Sequence, residues 1–460
     1  MQGGSTVETV YLSPERFWIG SMNKLQSRRF NRRQLLQSSV ICSAGVVAGC
    51  GDSKPDNVKE AVASKNNSVP LRVLYVGDSE NISAIERGWT SISERPLAIQ
   101  NVPFRREAIS SLTLPLNQAV ARCDVAIVPL VALSSLQQAD LVVALSDSFL
   151  EMTSERLGVL YPSVRNSAAK LGGESICLPL GARQPCFISS EAIGRLESWQ
   201  AYDDLVQSWD GKVSEPTAEG WKAASYLARC SGIRDWLFRD DSLEPVLSDA
   251  AYVDALTLMV KTCNRYHFKE QSPEQVWDSV SAGDCLGGIA IPPMDVSTQS
   301  VLTIEALPGV PTNDRVLLDA FSPVVCLSAS CRQTALARQF VVWLSGDDGS
   351  ESVRSQVPGI GPVRMPSLIS RQTEPGGSSS AYDQYLASRL SNPLAVPTLQ
   401  LLKGEQYYAA LDHHVGLALR GEMKPAEALA AVVSQWSGLT KEIGQNNQMR
   451  AWKRANGMSG

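Results

Sequence analysis

Residues able to make or break bonds are few in this chain, and none falls in a pattern that would let it do so. The histidines are His267, His413 and His414. No Gly-x-Ser-x-Gly turn supplies a nucleophile, no His-Glu-x-x-His helix holds zinc, and no glycine loop cradles phosphate. Adjacent Tyr407-Tyr408 and His413-His414 could offer metal ligands, but neighbours on a helix point about 100° apart, so half-buried helix is the better reading and neither metal nor cofactor is expected. A hydrolase working through a pair of carboxylates stays open as an alternative, because such pairs leave no spacing signature. What the sequence does offer is the chemistry of non-covalent capture, in which flat rings stack and fixed polar groups hydrogen-bond. The candidates are Trp221 and Trp236 as platforms, Asp78, Glu80 and Asp295 as acceptors, Arg364 as a donor, and Met294 beside them.

These side chains need elements to hold them. Residues 71–76, 97–102 and 124–129 are short β-rich runs, separated by helical stretches at 82–92 and about 106–122. That alternation predicts a parallel sheet with right-handed crossovers. Ligands of such sheets lie beyond the carboxyl ends of the strands, which would place residues 77–81 and 129–132 at the site. Residues 174–181 form a strand running into proline and glycine, a candidate crossing between domains. From Trp199 onward the pattern turns helical. Tyr252, Ala255, Leu256, Met259, Val260 and Cys263 mark one face of a helix. A helix opening at Ser272-Pro273 leads to a strand at 286–291, whose terminal loop carries Met294 and Asp295. Residues 322–327 return to the first sheet, Thr334 to Leu344 is helical, and Pro425 to Ile443 closes the chain, with Trp343 and Trp436 in the core.

The N-terminus has a different logic. Lys24, Arg28, Arg29, Arg32 and Arg33 precede an apolar run from Leu35 to Gly49 that is broken by Gln37, Ser38, Ser39 and Ser43. It is short against the roughly 20 residues of a membrane span and reads as an export signal. Val47-Ala48-Gly49-Cys50 resembles the lipobox of a bacterial lipoprotein, which implies acylation of Cys50 and anchoring to a membrane outside the cytoplasm. Arg32-Arg33 with Gln34-Leu35-Leu36 resembles a twin-arginine signal. Met22 opens a conventional signal, and translation is expected to start there rather than at Met1. Residues 51–69, rich in Lys, Asn and Ser, read as a flexible tether. The net charge of −5 becomes more negative once the basic leader is removed, which argues against a nucleic-acid surface. Eight cysteines follow Cys50. Their even number permits disulfides in an exported protein, but sequence cannot choose a pairing.

Several short stretches, in order, resemble the extracellular solute-binding proteins of the sugar-binding type, the ligand-capturing partners of ABC importers. They are Asp124 to Val128, Cys177-Leu178-Pro179, Ser272-Pro273 through Trp277 to Gly288-Ile289-Ala290-Ile291, Ala337 through Trp343, Gly361-Pro362-Val363-Arg364, and Leu419-Arg420-Gly421 through Leu429 to Trp436. The chain departs from the pattern at Arg183 to Ser189, which lacks a tyrosine-asparagine ending, and at Lys424, where a capping serine is usual. The resemblance implies an α/β, two-domain periplasmic-binding-protein-like fold, each domain a mostly parallel sheet flanked by helices, with a ligand cleft between them. The first domain would hold residues 70–180 and about 307–358; the second, more helical one about 181–306 and 359–460. It implies a monomeric, non-enzymatic binder of a small polar solute, above all a carbohydrate, that delivers to ABC permease subunits. A lipid-anchored sensor or protein-interaction module is the alternative of another class.

Overall fold

The computed structural model describes residues 69–111, 115–266, 269–293, 302–309, 314–346, 349, 353, 356, 357, 359–365 and 380–458, all within one compact unit that spans Ala61–Gly460. Met294, Asp295, the signal, Cys50 and most of the tether lie outside the described residues.

Three strands open the described chain: β1 (Leu71–Gly77), β2 (Leu97–Pro103) and β3 (Val125–Pro129). A small antiparallel pair, β4 (Lys170–Leu171) and β5 (Glu174–Ser175), precedes β6 (Leu178–Pro179), β7 (Cys186–Ser189) and β8 (Val213–Ser214). Then come β9 (Gly287–Ala290), β10 (Thr303–Glu305), β11 (Val316–Leu317), β12 (Pro323–Leu327) and β13 (Ala395–Val396). The strands build two larger sheets, ordered β2-β1-β3-β12-β6 and β10-β7-β9-β8.

The first three strands are parallel, as the alternation of strand and helix predicts. The sheets are nonetheless mixed rather than mostly parallel: β12 runs antiparallel to both β3 and β6, and β7 antiparallel to β9 and β10. The reason is topological. The chain returns to the first sheet at the carboxyl end of β3, where Pro323 pairs with Pro129, so the returning strand can only run backwards along its neighbour.

One face of the first sheet is covered by the helices Ile82–Thr90 and Thr334–Leu344. Trp89 sits edge-on to Phe340 and Trp343, with ring centroids 5.2 and 5.4 Å apart. Tyr252, Leu256, Met259 and Cys263 of the helix Ala250–Cys263 turn inward together, the face their spacing predicts. The helix Pro273–Ser281 carries the expected proline and a full capping box between Ser272 and Gln275. Pro425–Ile443 starts at Lys424 with no side-chain cap, and buries Trp436, whose Nε1 donates to the Tyr407 carbonyl at 2.8 Å. The eight cysteines are all free thiols, six of them buried. They fill core space as small apolar side chains do.

Three segments run side by side where the chain passes between the sheets. Leu180 donates its amide to Pro323 O at 2.9 Å and accepts from the Gly361 amide at 3.0 Å. Gly181 is needed there, because a Cβ would overlap the carbonyl of Gly359.

Candidate functional site

A cavity of about 280 Å³ lies where the second sheet faces these crossings, walled by Trp199, Trp221, Pro216, Ile289, Leu307 and Leu317. Its surface is mainly apolar, with charged groups let into it, the composition typical of small-ligand sites. Both tryptophans are held by their chain positions. Trp199 opens the helix Trp199–Ser208, and the Ser198 hydroxyl caps that helix by accepting from the Ala201 amide at 3.1 Å. Trp221 ends the loop after β8, just before the helix Lys222–Cys230. Asp412, from the helix Gly404–Leu419, pins this loop by accepting from the amides of Gly220 and Ala223, each at 2.9 Å. Gly220 sits at φ +78, and a Cβ there would meet the Arg106 carbonyl at 2.7 Å. Both the turn and the close approach need glycine.

Each ring carries a guanidinium on one face. The Arg229 Cζ lies 4.2 Å from the centre of Trp199, and Arg229 pairs with Glu215, both side chains being almost wholly buried. Burial works against the charge on Arg229, but Glu215, Cys263 and Tyr202 together outweigh it and hold the guanidinium above its usual range. The Arg106 Cζ lies 3.5 Å from the centre of Trp221. Its Nε donates to the Gly220 carbonyl at 2.6 Å, Nη1 to Asp319 Oδ2 at 2.7 Å, and Nη2 to the Tyr408 hydroxyl at 2.7 Å. Here too burial opposes the charge, while Asp319 and Tyr408 raise Arg106 above its usual range. Arg106 follows directly from the end of β2 in the first sheet. It therefore clamps an element of one sheet onto the loop and helix packed on the other.

Of the predicted residues that are described, the structure brings Trp221 to the cavity and places Trp236, Arg364, Asp78 and Glu80 elsewhere. Trp236 is core: it is buried, and its Nε1 donates to the Pro397 carbonyl at 2.8 Å. Arg364 is buried as well, donating through Nη1 to the Gly158 carbonyl at 2.7 Å and so tying a crossing segment to the first sheet's side. Asp78 caps a short turn by accepting from the Glu80 amide at 3.2 Å, and it lies 3.4 Å from Arg105. Glu80 is exposed. Neither lines the cavity.

Sequence reasoning missed Trp199, Arg229, Asp319 and above all Arg106. The sequence pattern puts Arg106 at the start of a helix spanning about 106–122. The chain there forms a 3-10 turn, Arg106–Ser111, and then a separate helix, Pro115–Val120. A usable signal existed, because Arg106 lies just beyond the carboxyl end of a predicted strand, where ligand contacts are expected. Tyr407 and Tyr408 are fully buried rather than half-buried. Their hydroxyls diverge, Tyr407 to Thr440 and Gln448 and Tyr408 to Arg106 and Gly220. Among the described residues no three His, Cys, Asp or Glu side chains converge as a metal site, and no helix is long and apolar enough to cross a membrane.

No protein-family model and no curated protein matches the sequence. The fold, by contrast, is that of the periplasmic-binding-protein-like α/β proteins with two sheets. The sugar-binding protein MalE of Xanthomonas citri superposes with a TM-score of 0.61 at 13% identity, over 82% of this chain and 100% of that one. The GacH receptor of Streptomyces glaucescens, solved unliganded and with acarbose, gives 0.60 at 12% identity, over 81% and 100%. An ABC-transporter solute-binding protein of Agrobacterium vitis with bound D-mannitol gives 0.56 at 11% identity, over 82% and 99%.

Proposed function

We propose that this protein is an extracytoplasmic solute-binding protein that captures a small polar solute, a carbohydrate, and delivers it to an ABC-type importer without chemical change. The observation that carries the reading is the cavity beside the crossings, in which two tryptophan rings and fixed Arg and Asp groups face the same space. Stacking rings hold the apolar face of a sugar, and pre-oriented charged groups hold its hydroxyls. The fold supports the same reading, since a ligand held at the crossings couples binding to the relative movement of two sheets.

The division of labour follows. Trp221 and Trp199 form the walls, Asp319 is the polar contact at one end, and Arg106 holds the first sheet's side against the second. Asp319 suits that role because its Oδ1 has no hydrogen-bond partner among the described residues. The proposed domains are residues 70–180 with about 307–358, and about 181–306 with 359–460; the strand membership of the two larger sheets supports this division, while the small β11-β13 pair crosses it. Cys50 is proposed as the acylated N-terminus that keeps the protein at the membrane, reached through a twin-arginine or general export signal.

A thermal-shift screen of monosaccharides, oligosaccharides and polyols tests the function. A ligand that binds only the native state adds RT ln(1 + [L]/Kd) to its stability, so a true solute raises Tm with concentration. Absence of any shift, together with a stable protein partner in a pull-down, would replace this reading with the interaction module. Turnover of a glycoside would replace it with a hydrolase.

A further inference from the structure

The charges around the cavity do not balance, and the surplus has a definite place. Four arginines line it: Arg183, Arg229, Arg315 and Arg389. Arg183 is met by Glu274 at 3.2 Å, Arg229 by Glu215, and Arg389 by Asp314. Arg315 has no carboxylate partner among the described residues. Among those residues its Nη1 donates to the Ile233 carbonyl, at 3.2 Å. Its neighbour Asp314 cannot compensate, because that carboxylate already serves Arg195 at 3.2 Å as well as Arg389. Asp319 is engaged by Arg106, and Glu197, the remaining acid of the lining, stands exposed at the rim. Arg315 is partly exposed and also borders a second pocket that holds Asp235, Asp240 and Asp241, none of which forms an ion pair with it among the described residues; its planar fork is thus open to a carboxylate.

We infer that the solute is a sugar acid, a hexuronate or a short oligomer ending in one, whose carboxylate is received by Arg315 while its ring lies between the tryptophan walls. The inference rests on the solute-binding reading and narrows it. A neutral sugar would satisfy the rings but leave Arg315 unmatched. A simple organic acid would satisfy Arg315 but leave the rings uncovered. Residues 314–320 carry both Arg315 and Asp319 along one side of the cavity, so one segment would present a donor for the carboxylate and an acceptor for a hydroxyl.

Titration calorimetry of the mature protein with D-glucuronate and D-galacturonate, their methyl esters, and D-glucose and D-galactose is the test. The acids should bind about tenfold or more tightly than their esters, a preference that weakens with added salt. Arg315→Gln should abolish that preference while keeping the ester's affinity, and Arg315→Lys should restore part of it. Equal or tighter binding of the neutral sugars by the wild-type protein would overturn the acid assignment and leave the carbohydrate reading standing. If neither acids nor neutral sugars bind, the carbohydrate reading itself falls, and this inference with it. The ester comparison needs only wild-type protein, so a poorly folding variant leaves it decisive.

Discussion

Trp199 and Trp221 wall the same cavity, and each carries an arginine on one face, yet the two pairs are wired differently. Arg229 meets its carboxylate, Glu215, across only 14 residues of sequence, within elements that all pack on the second sheet. Arg106 reaches Gly220, Asp319 and Tyr408, which lie 114, 213 and 302 residues away, and it leaves from the first sheet. The chemistry is the same in both, a buried guanidinium stacked on indole and held by a carboxylate. The first belongs to a wall that exists whether or not the sheets approach each other. In the second, the bonds to Gly220 and Tyr408 join the two sides, whereas Asp319 belongs to the same proposed domain as Arg106. A stabilising contact and a closing contact thus differ in connectivity rather than in residue type.

The sharpest way to break this comparison is to remove both arginines in turn. Arg229→Met leaves the Glu215 carboxylate buried with neither oxygen satisfied, since its Oε1 has no partner already. Removing one member of a buried pair costs about 3–5 kcal/mol. Arg229→Met should therefore lower Tm sharply with or without solute, and replacing Glu215 by Leu as well should recover much of the loss. Arg106→Gln should cost less, about 1.5–3 kcal/mol for charge-assisted bonds to Asp319 and its neighbours. Its signature is different in kind: scattering from the ligand-free protein should show a larger radius of gyration than wild type, whereas Arg229→Met, while folded, should not. If both variants expanded the protein equally, the distinction between wall and clamp would collapse.

A smaller effect tests the rings themselves. Trp221→Ala removes a platform and also the seat of the clamp, while Trp199→Ala removes a platform alone. Each should weaken solute binding, by roughly tenfold for a lost stacking wall, and only Trp221→Ala should also change the ligand-free radius of gyration.

The contrast also explains what was legible beforehand. The parallel direction of β1, β2 and β3, the return strand at 323–327 and the buried faces of Ala250–Cys263 and Thr334–Leu344 follow from local periodicity, which a chain displays in one dimension. Trp221 was within reach because it ends a Gly-containing loop before a helix. Arg106 was not singled out, because its meaning comes from three partners far along the chain. Trp236 and Arg364 misled for the opposite reason: a loop tryptophan and an arginine after Gly-Pro look available, but Pro397 and Gly158, distant in sequence, claim them. Strand direction in the mixed sheets was hidden likewise, being set by the end of the sheet at which the chain re-enters.

The subtlest difference between the two walls is their response to pH. The Trp221 loop hangs on Asp412, whose carboxyl burial lifts above its ordinary range although the Ala223 and Gly220 amides, Lys222 and Arg106 pull the other way. The Trp199 helix starts from a serine cap, which does not titrate. With its folded value above its unfolded one, Asp412 binds more protons in the native state than in the unfolded state between those two values. Its contribution is therefore greatest below the unfolded carboxyl range and declines as pH rises through the raised folded value, becoming flat above it. Asp412→Asn cannot titrate. Plotted as the Tm difference between wild type and Asp412→Asn, the wild-type advantage should shrink as pH rises through that window. Ser198→Ala should lower Tm by a constant amount over the same range, since the cap it removes is worth about 1 kcal/mol at any pH. A flat Asp412 difference would mean that the carboxylate is as well solvated in the folded protein as in the unfolded one, and that the clamp's loop is no more sensitive to protons than the wall opposite.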